Sequence, residues 1–309
     1  MGRRRGGYSP FAVIDPLAVC HGLKFRCGIH RLSLMTKVER HRWIARTVVQ
    51  LFVVGLLLVG CSASVEPPAP IQLRLAGSSS MQILMDELAA AYTSRYDWVT
   101  IDLDPRGSQL GLEALREGAV DIALVSRELS ADEERGLAST VIAYDAIAIV
   151  VNDQNPVDSL TIEQLRGVFS GQILMWSEVG GEEADIQVVS REDGSGTRAA
   201  FEAMLMEGQE VTTMAVVVPS NEAVGRFVQG DALSVGYASA VGLPLGTRAV
   251  RVSGARPSLQ GVSQGEYPLV RPFVLVSRQD GGEEVRSFLD FVLSPAGQVI
   301  VGQRYGRVK

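Results

Sequence analysis

Three times in this chain an apolar run suited to a buried strand stops at a short block of Gly and Ser, and a helical pattern follows. Ile186–Val189 leads through Arg191-Glu192-Asp193-Gly194-Ser195-Gly196-Thr197-Arg198 into Ala199–Met206. Ile71–Ala76 leads through Gly77-Ser78-Ser79-Ser80 into an amphipathic helix with Leu84, Leu88 and Tyr92 on one face. Val99–Leu103 leads through Arg106-Gly107-Ser108-Gln109-Leu110-Gly111 into a short helix through Leu112, Leu115 and Arg116. A fourth strand, Ala119–Val125, ends in Ser126-Arg127. Strands alternating with helices make an α/β sheet, and open sheets of that class bind ligands off the carboxyl ends of their strands.

The chemistry of these turns points to an anion. The first N–H groups of a helix have no internal partner, and the helix dipole makes that end positive. Glycines let a ligand approach the backbone, Ser195 and Thr197 add hydroxyl donors, and Arg191 adds a planar fork for two oxygens of one oxyanion. Any one of these turns is also what an ordinary N-cap looks like. Four strand ends with the same chemistry are more than capping requires, and together they would build a tetrahedral-oxyanion cage without a metal.

Elsewhere, Thr140–Asn152, with Asp145 inside it, and Tyr267–Val276 read as long strands that cross between two lobes. Thr161 caps a short helix, Trp176 reads as core, and Val211–Val218 and Leu233–Ala238 read as further strands. Helices are expected over Glu283–Val292 and Pro295–Gln303.

Composition excludes several function classes. The chain of 309 residues has 29 basic and 35 acidic residues, a net of −6, but residues 1–60 hold 10 basic and only 2 acidic ones. The remainder therefore carries a net charge of −14, which argues against nucleic acid as a partner. His21, His30 and His41 all precede residue 61, no cysteine follows Cys61, and the only lysine beyond it is Lys309. The body thus lacks the usual general base, thiol nucleophile, internal catalytic lysine and transition-metal ligands. No metal, no cofactor and no catalysis are expected. Gly261-Val262-Ser263-Gln264-Gly265 matches a nucleophile-elbow pattern, but it reads as a Gly-rich loop with no helix after it and no histidine to serve it.

The leader has its own logic. Lys37, Arg40, Arg42 and Arg46 precede an apolar core, Thr47–Val59, that suits an export signal and is short for a membrane span. The core ends in Leu58-Val59-Gly60-Cys61, which resembles the bacterial lipoprotein box, where cleavage precedes the cysteine and the thiol takes a lipid. Met35 is a natural start, so residues 1–34 read as an upstream over-extension; Cys20, His21, Cys27 and His30 within them match no zinc spacing. Residues 35–60 are the signal peptide and 61–70 a Pro-rich linker.

The body resembles the phosphate-binding proteins of bacterial phosphate-specific ABC transporters, a branch of the type II periplasmic-binding-protein fold. The resemblance runs from about Leu73 to Gly306 and rests on the turns above together with Asp121-Ile122-Ala123, Tyr144-Asp145, Phe169-Ser170-Gly171, Trp176–Gly181, Gly236-Tyr237 and Tyr267-Pro268-Leu269. It implies two α/β lobes, 71–147 with 268–309 and 148–267, with the ligand clamped between them. It implies phosphate ligands at Ser79, Ser80, Ser108, Arg127, Arg191, Ser195, Gly196 and Thr197, with Asp193 pairing with Arg191. One branch of the family has an aspartate where Arg127 stands, and that carboxylate accepts the phosphate proton and so excludes sulfate. Here Asp145 is the candidate acceptor, or else a hinge or capping residue. The implied protein is a monomer anchored outside the cytoplasm through Cys61, passing phosphate to the transmembrane subunits of a permease. Tungstate, molybdate or sulfate as ligand, or a sensor without transport, are the alternatives.

Overall fold

Residues 36–58 and 69–308 are described by the computed structural model of the chain, which falls into two units, Met1–Pro67 and Pro68–Lys309. In the first unit, α1 (Lys37–Leu58) joins the basic segment and most of the apolar core of the leader in one helix. No described helix is long and apolar enough to cross a membrane. Residues 1–34 and Cys61, the expected site of lipid attachment, lie outside the described residues.

The second unit runs β1 (Ile71–Gly77), a 3₁₀ turn (Ser79–Met81), α2 (Gln82–Thr93), β2 (Val99–Asp104), α3 (Ser108–Arg116), β3 (Ile122–Val125), α4 (Ala131–Glu134) and β4 (Leu137–Asn152). Then come β5 (Ser159–Leu160), α5 (Ile162–Ser170), a 3₁₀ turn (Trp176–Val179), β6 (Gln187–Arg191), α6 (Gly196–Phe201) with a π-helical turn (Glu202–Met206), β7 (Val216–Val218) and α7 (Asn221–Gly230). The chain ends with β8 (Ser234–Ser239), β9 (Thr247–Val252), α8 (Leu259–Gln264), β10 (Val270–Arg278), α9 (Glu283–Leu293), α10 (Pro295–Val301) and β11 (Gly306–Arg307).

The sheet path β2-β1-β3-β10-β4-β8-β6-β7 explains the two lobes. At one end β1 pairs in parallel with β2 and β3; at the other, β6 pairs in parallel with β7 and β8. Between them β4 runs antiparallel to its neighbours and changes partner, meeting β10 up to Ala146 and β8 from Ile147 onward. One continuous strand thus belongs to both lobes. Parallel strands covered on both faces must be apolar on both; all four residues of β3 are buried. Each half of the sheet is sandwiched between apolar clusters, with Leu84, Phe273 and Phe288 on one side of the first half and Leu112, Val125 and Val276 on another. Trp176, Phe169, Phe201 and Tyr237 centre the core of the other half.

Three elements differ from the sequence reading. Only Val216–Val218 of the run from Val211 is a strand, because Thr212 turns back to bond Phe169 and Met214 faces solvent. β9 escapes an apolar-run search because Arg248 and Arg251 interrupt it; both pair with Asp158. Ser263 lies inside α8, not in a loop, and its Oγ donates to Leu259 and Gln260 carbonyls. A helix-interior serine bonded to its own backbone has none of the geometry of a nucleophile elbow.

Candidate oxyanion site

Because β1 and β3 run parallel, their carboxyl ends lie side by side, and the serines that follow them meet. Gly77 has φ +146°, and the space where a Cβ would stand is taken by the Leu124 backbone, so only glycine lets the chain turn here. Ser78 Nα then donates to Leu124 O, and Gly107 Nα donates to Gly77 O, which brings the start of α3 to the same point. The result is a buried hydroxyl cluster. Ser78 Oγ lies 2.7 Å from Ser126 Oγ and 2.9 Å from Ser80 Oγ, and Ser126 Nα donates to Ser108 Oγ at 3.3 Å.

The second lobe meets this cluster with the loop from β6 to α6. Ser195 caps α6, its Oγ accepting from Arg198 Nα. Gly196 follows, packed so closely on the serines that an added Cβ would collide with Ser108 Oγ and stand 2.7 Å from Ser126 Oγ. Arg191 is 1% exposed. Its Nε and Nη2 donate to the two Glu192 carboxylate oxygens at 3.0 and 2.7 Å, and Nη2 also reaches Pro219 O at 3.3 Å and Ser79 Oγ, in the first lobe, at 3.4 Å. Ser79 Oγ also accepts from Asn221 Nα, and Gln109 Nα donates to Gly194 O, so the lobes touch across several bonds. Behind Arg191, Tyr237 Oη accepts from the Arg191 amide and bonds Ser190 Oγ. Burial pushes the Tyr237 hydroxyl up to about 12, so it stays neutral, and Phe201 stacks flat on its ring at 3.9 Å.

Two donors in this arrangement have no partner. Arg191 Nη1 and Thr197 Oγ1 are both buried and unbonded, although buried polar groups are normally satisfied. Both come from the Arg191–Arg198 loop, and one carries a positive charge.

The pairing of Arg191 corrects the expectation for Asp193. Asp193 is 97% exposed and takes Arg198 Nη1, whereas Glu192 folds back onto Arg191. Gly194, at φ +81°, reverses the chain just after Asp193, which leaves that side chain on the outside of the turn.

Arg127 is paired with an acid rather than with the serine cluster. Its Nη1 and Nη2 grip the two Glu133 oxygens at 2.8 and 2.7 Å, and Glu133 also closes a capping box with Ser130 at the start of α4. The Arg127 hydrogen bonds hold the Glu133 carboxyl down to about 2, against the opposing effect of burial. A depressed folded-state value stabilises the fold fully above the ordinary value and loses that contribution as pH falls through the folded one. Glu133→Gln is therefore expected to cost about 1–2 kcal/mol near neutral pH. The gap to wild type should close as pH falls from about 4.5 towards about 2. Urea unfolding of both proteins at stepped pH checks this; a gap unchanged down to about pH 3 refutes the linkage.

Asp145 is buried on β4 directly opposite Arg271 on β10. Its Oδ2 accepts from Arg271 Nε and Nη2 at 3.1 and 2.8 Å, and its Oδ1 accepts from Ser239 Oγ at 2.7 Å. Burial pushes the Asp145 carboxyl up and the Arg271 guanidinium down, and their mutual attraction opposes both shifts. Arg271 Nη1 reaches Ser126 O and Oγ at 3.4 Å.

The structure thus gathers Ser79, Ser80, Ser108, Arg191, Ser195, Gly196 and Thr197 at the junction of the lobes, and gives Arg127 and Asp145 other partners. The ligands named from the sequence did not include Ser78, Ser126, Glu192 or Arg271. Ser126 stood beside Arg127 in the fourth turn. The signal for Arg271 was a lone charge in an apolar strand, matched by Asp145 in the other crossing strand. Among the described residues no group of His, Cys, Asp and Glu is placed to hold a metal ion. A cavity of about 910 Å³ is lined by Val141, Tyr144, Val262, Val270 and Tyr305.

Comparison with known proteins gives the family. The PBP superfamily domain matches residues 64–296. A Clostridium perfringens protein solved with bound phosphate is 35% identical with a TM-score of 0.75. That match covers 77% of this chain and 100% of the other. An ABC-type phosphate transport receptor from Vibrio cholerae is 33% identical with a TM-score of 0.65, covering 76% and 100%. The phosphate-binding protein PstS of Bacillus subtilis is 28% identical over 239 residues, 75% of this chain and 79% of that one. A domain match over most of the sequence and coverage of the whole length of two relatives above 30% identity settle the assignment: the chain is a member of the PBP superfamily, in its branch of Pst-type phosphate-binding proteins.

Proposed function

We propose that this protein captures inorganic phosphate between its two lobes and delivers it to the transmembrane subunits of an ABC importer. The observation that carries the reading is the pair of buried, unpartnered donors, Arg191 Nη1 and Thr197 Oγ1, in the loop that faces the serine cluster. A desolvated dianion needs many donors and fixed positive charge at once. Arg191, Thr197, the Ser78–Ser80 turn, Ser108 and the backbone at Gly196 supply them from both lobes. Binding is closure of the lobes around the anion, with hinges where β4 changes partner and where Leu269 O accepts from Ile147 Nα. We place the mature chain outside the cytoplasm, held at the membrane by a lipid on Cys61. The chemistry present suits binding rather than turnover.

One observation favours a broader oxyanion specificity as a second reading. The carboxylates beside the cage, Glu192 and Asp145, are each already paired with an arginine, so neither offers a free oxygen to the proton that distinguishes monohydrogen phosphate from sulfate. The other engagements of Asp145 support a role as counter-ion of Arg271 rather than proton acceptor.

Calorimetric titration with phosphate, sulfate and tungstate tests both readings, on protein stripped of bound anion by unfolding and refolding. Submicromolar phosphate binding with sulfate at least 100-fold weaker is expected, on the order of 3 kcal/mol of discrimination. Equal sulfate binding moves the protein to the second reading, and binding of none of the three overturns the capture function. Partition of the full chain, extracted from membranes of the cells that make it, into the detergent phase checks the lipid.

A further inference from the structure

Arg271 is the second fully buried arginine at the junction of the lobes, and it lies on a crossing strand rather than in either strand-to-helix loop. Its bonding repeats that of Arg191. One edge of each guanidinium, Nε and Nη2, is occupied by a carboxylate, Glu192 for Arg191 and Asp145 for Arg271. In each the remaining nitrogen is Nη1. That of Arg191 is unbonded, and that of Arg271 makes only two long contacts, 3.4 Å each, to Ser126. Ser126 Oγ is the same oxygen that Ser78 engages at 2.7 Å and that Gly196 packs against from the other lobe. So Arg271 Nη1 stands at the edge of the hydroxyl cluster with little to hold it there.

The two arginines also act on each other. Arg191 is among the groups that disfavour the charged form of Arg271. Two buried cations kept within range of one another cost free energy that an anion between them relieves. The carboxylates hold the forks in orientation, as Asp145 is itself fixed by Ser239.

We propose that Arg271 is a second guanidinium ligand of the anion, contributed by the hinge strand and oriented by Asp145, so that the bound dianion is clamped between Arg191 Nη1 and Arg271 Nη1. This rests on the anion-binding reading above and deepens it. The second arginine sets the preference of the site for a doubly charged ligand, and it couples binding to the hinge, because β10 is one of the two strands that connect the lobes.

The test is calorimetry on the whole protein and three variants. Asp145→Asn/Arg271→Met removes both charges of the pair and keeps their volume. If Arg271 serves only to neutralise Asp145, this double variant binds like wild type. If Arg271 touches the anion, phosphate binding weakens by roughly 10- to 150-fold, the range for a hydrogen bond to a charged group. Asp145→Asn alone leaves the Arg271 charge in place and should bind at least about tenfold more tightly than the double variant. Arg271→Lys keeps the charge and the ion pair with Asp145 but lacks Nη1, and should weaken binding about tenfold or more. It decides the matter if the double variant does not fold. Wild-type affinity in the double variant, or in Arg271→Lys should the double fail to fold, overturns the proposal. Titrating wild type first separates this from the broader reading: if it binds sulfate or tungstate instead of phosphate, the variants are compared with that anion, and the role of Arg271 is tested all the same.

Discussion

Replacing Arg191 by methionine is expected to weaken phosphate binding by roughly 10²- to 10⁴-fold, equivalent to about 3–5 kcal/mol, while leaving both lobes folded. The size follows from burial. Arg191 is 1% exposed and its Nη1 is unpaired, so a bond from it to an anion forms out of water, where charge-assisted bonds are strongest. The fold should survive, because the side chains around Arg191 that carry the core, Tyr237 and Phe201, stack on each other and not on the guanidinium. Glu192, which loses its partner, is 29% exposed and can be hydrated. Glu192→Gln is the control. It loosens the orientation of Arg191 but leaves its charge and Nη1 in place. It also removes a negative charge from the vicinity of the anion, so binding should fall far less than in Arg191→Met. Calorimetry and thermal unfolding read both variants. Binding of Arg191→Met within tenfold of wild type, with the fold intact, would place the anion elsewhere.

The second large effect is expected from a single methyl group. Gly196→Ala puts a carbon against Ser108 Oγ and 2.7 Å from Ser126 Oγ. Neither hydroxyl can yield cheaply. Ser108 Oγ is fixed by Ser126 Nα, and Ser126 Oγ by Ser78. The clash lies between the lobes and not within either core, so the molecule can relieve it by opening. Phosphate affinity should fall by on the order of 100-fold or more, since a site completed only by closure is lost when closure is blocked. The melting temperature of the ligand-free protein should move by no more than a few degrees. Small-angle scattering should show the variant staying extended when phosphate is added. A variant that compacts and binds as wild type does would mean that Gly196 is not the point where the lobes close.

The two predictions rest on parts of the chain that differ in how openly the sequence carried them. Arg191, Ser195, Gly196 and Thr197 lie within seven consecutive residues, and their roles follow from local chemistry: a strand end, an N-cap serine, a glycine and a helix start. The two lobes were also legible, since the long apolar runs Thr140–Asn152 and Tyr267–Val276 suit strands that cross between halves of a sheet. What one residue does to its near neighbour was harder. Glu192 and Asp193 are adjacent acids, and only the reversal at Gly194 decides that the first turns inward to Arg191 and the second outward to Arg198. Arg127 shows the same limit. Its partner is six residues away in a Ser130–Glu133 capping box whose pattern is visible in the sequence, yet the pairing needs the turn between them.

The α/β class, the strand-to-helix turns and the donors they carry were set locally, because hydrophobic period, capping and glycine placement act over a few residues. Tertiary structure alone decided which donors meet. The contact of Ser78 with Ser126 spans 48 residues, that of Arg191 with Ser79 spans 112, and the Asp145–Arg271 pair spans 126. Such pairings are set by strand order and register, and these come from how whole faces of the sheet bury together. No local pattern encodes them, because the energy that selects them belongs to the packed sheet and to no single segment.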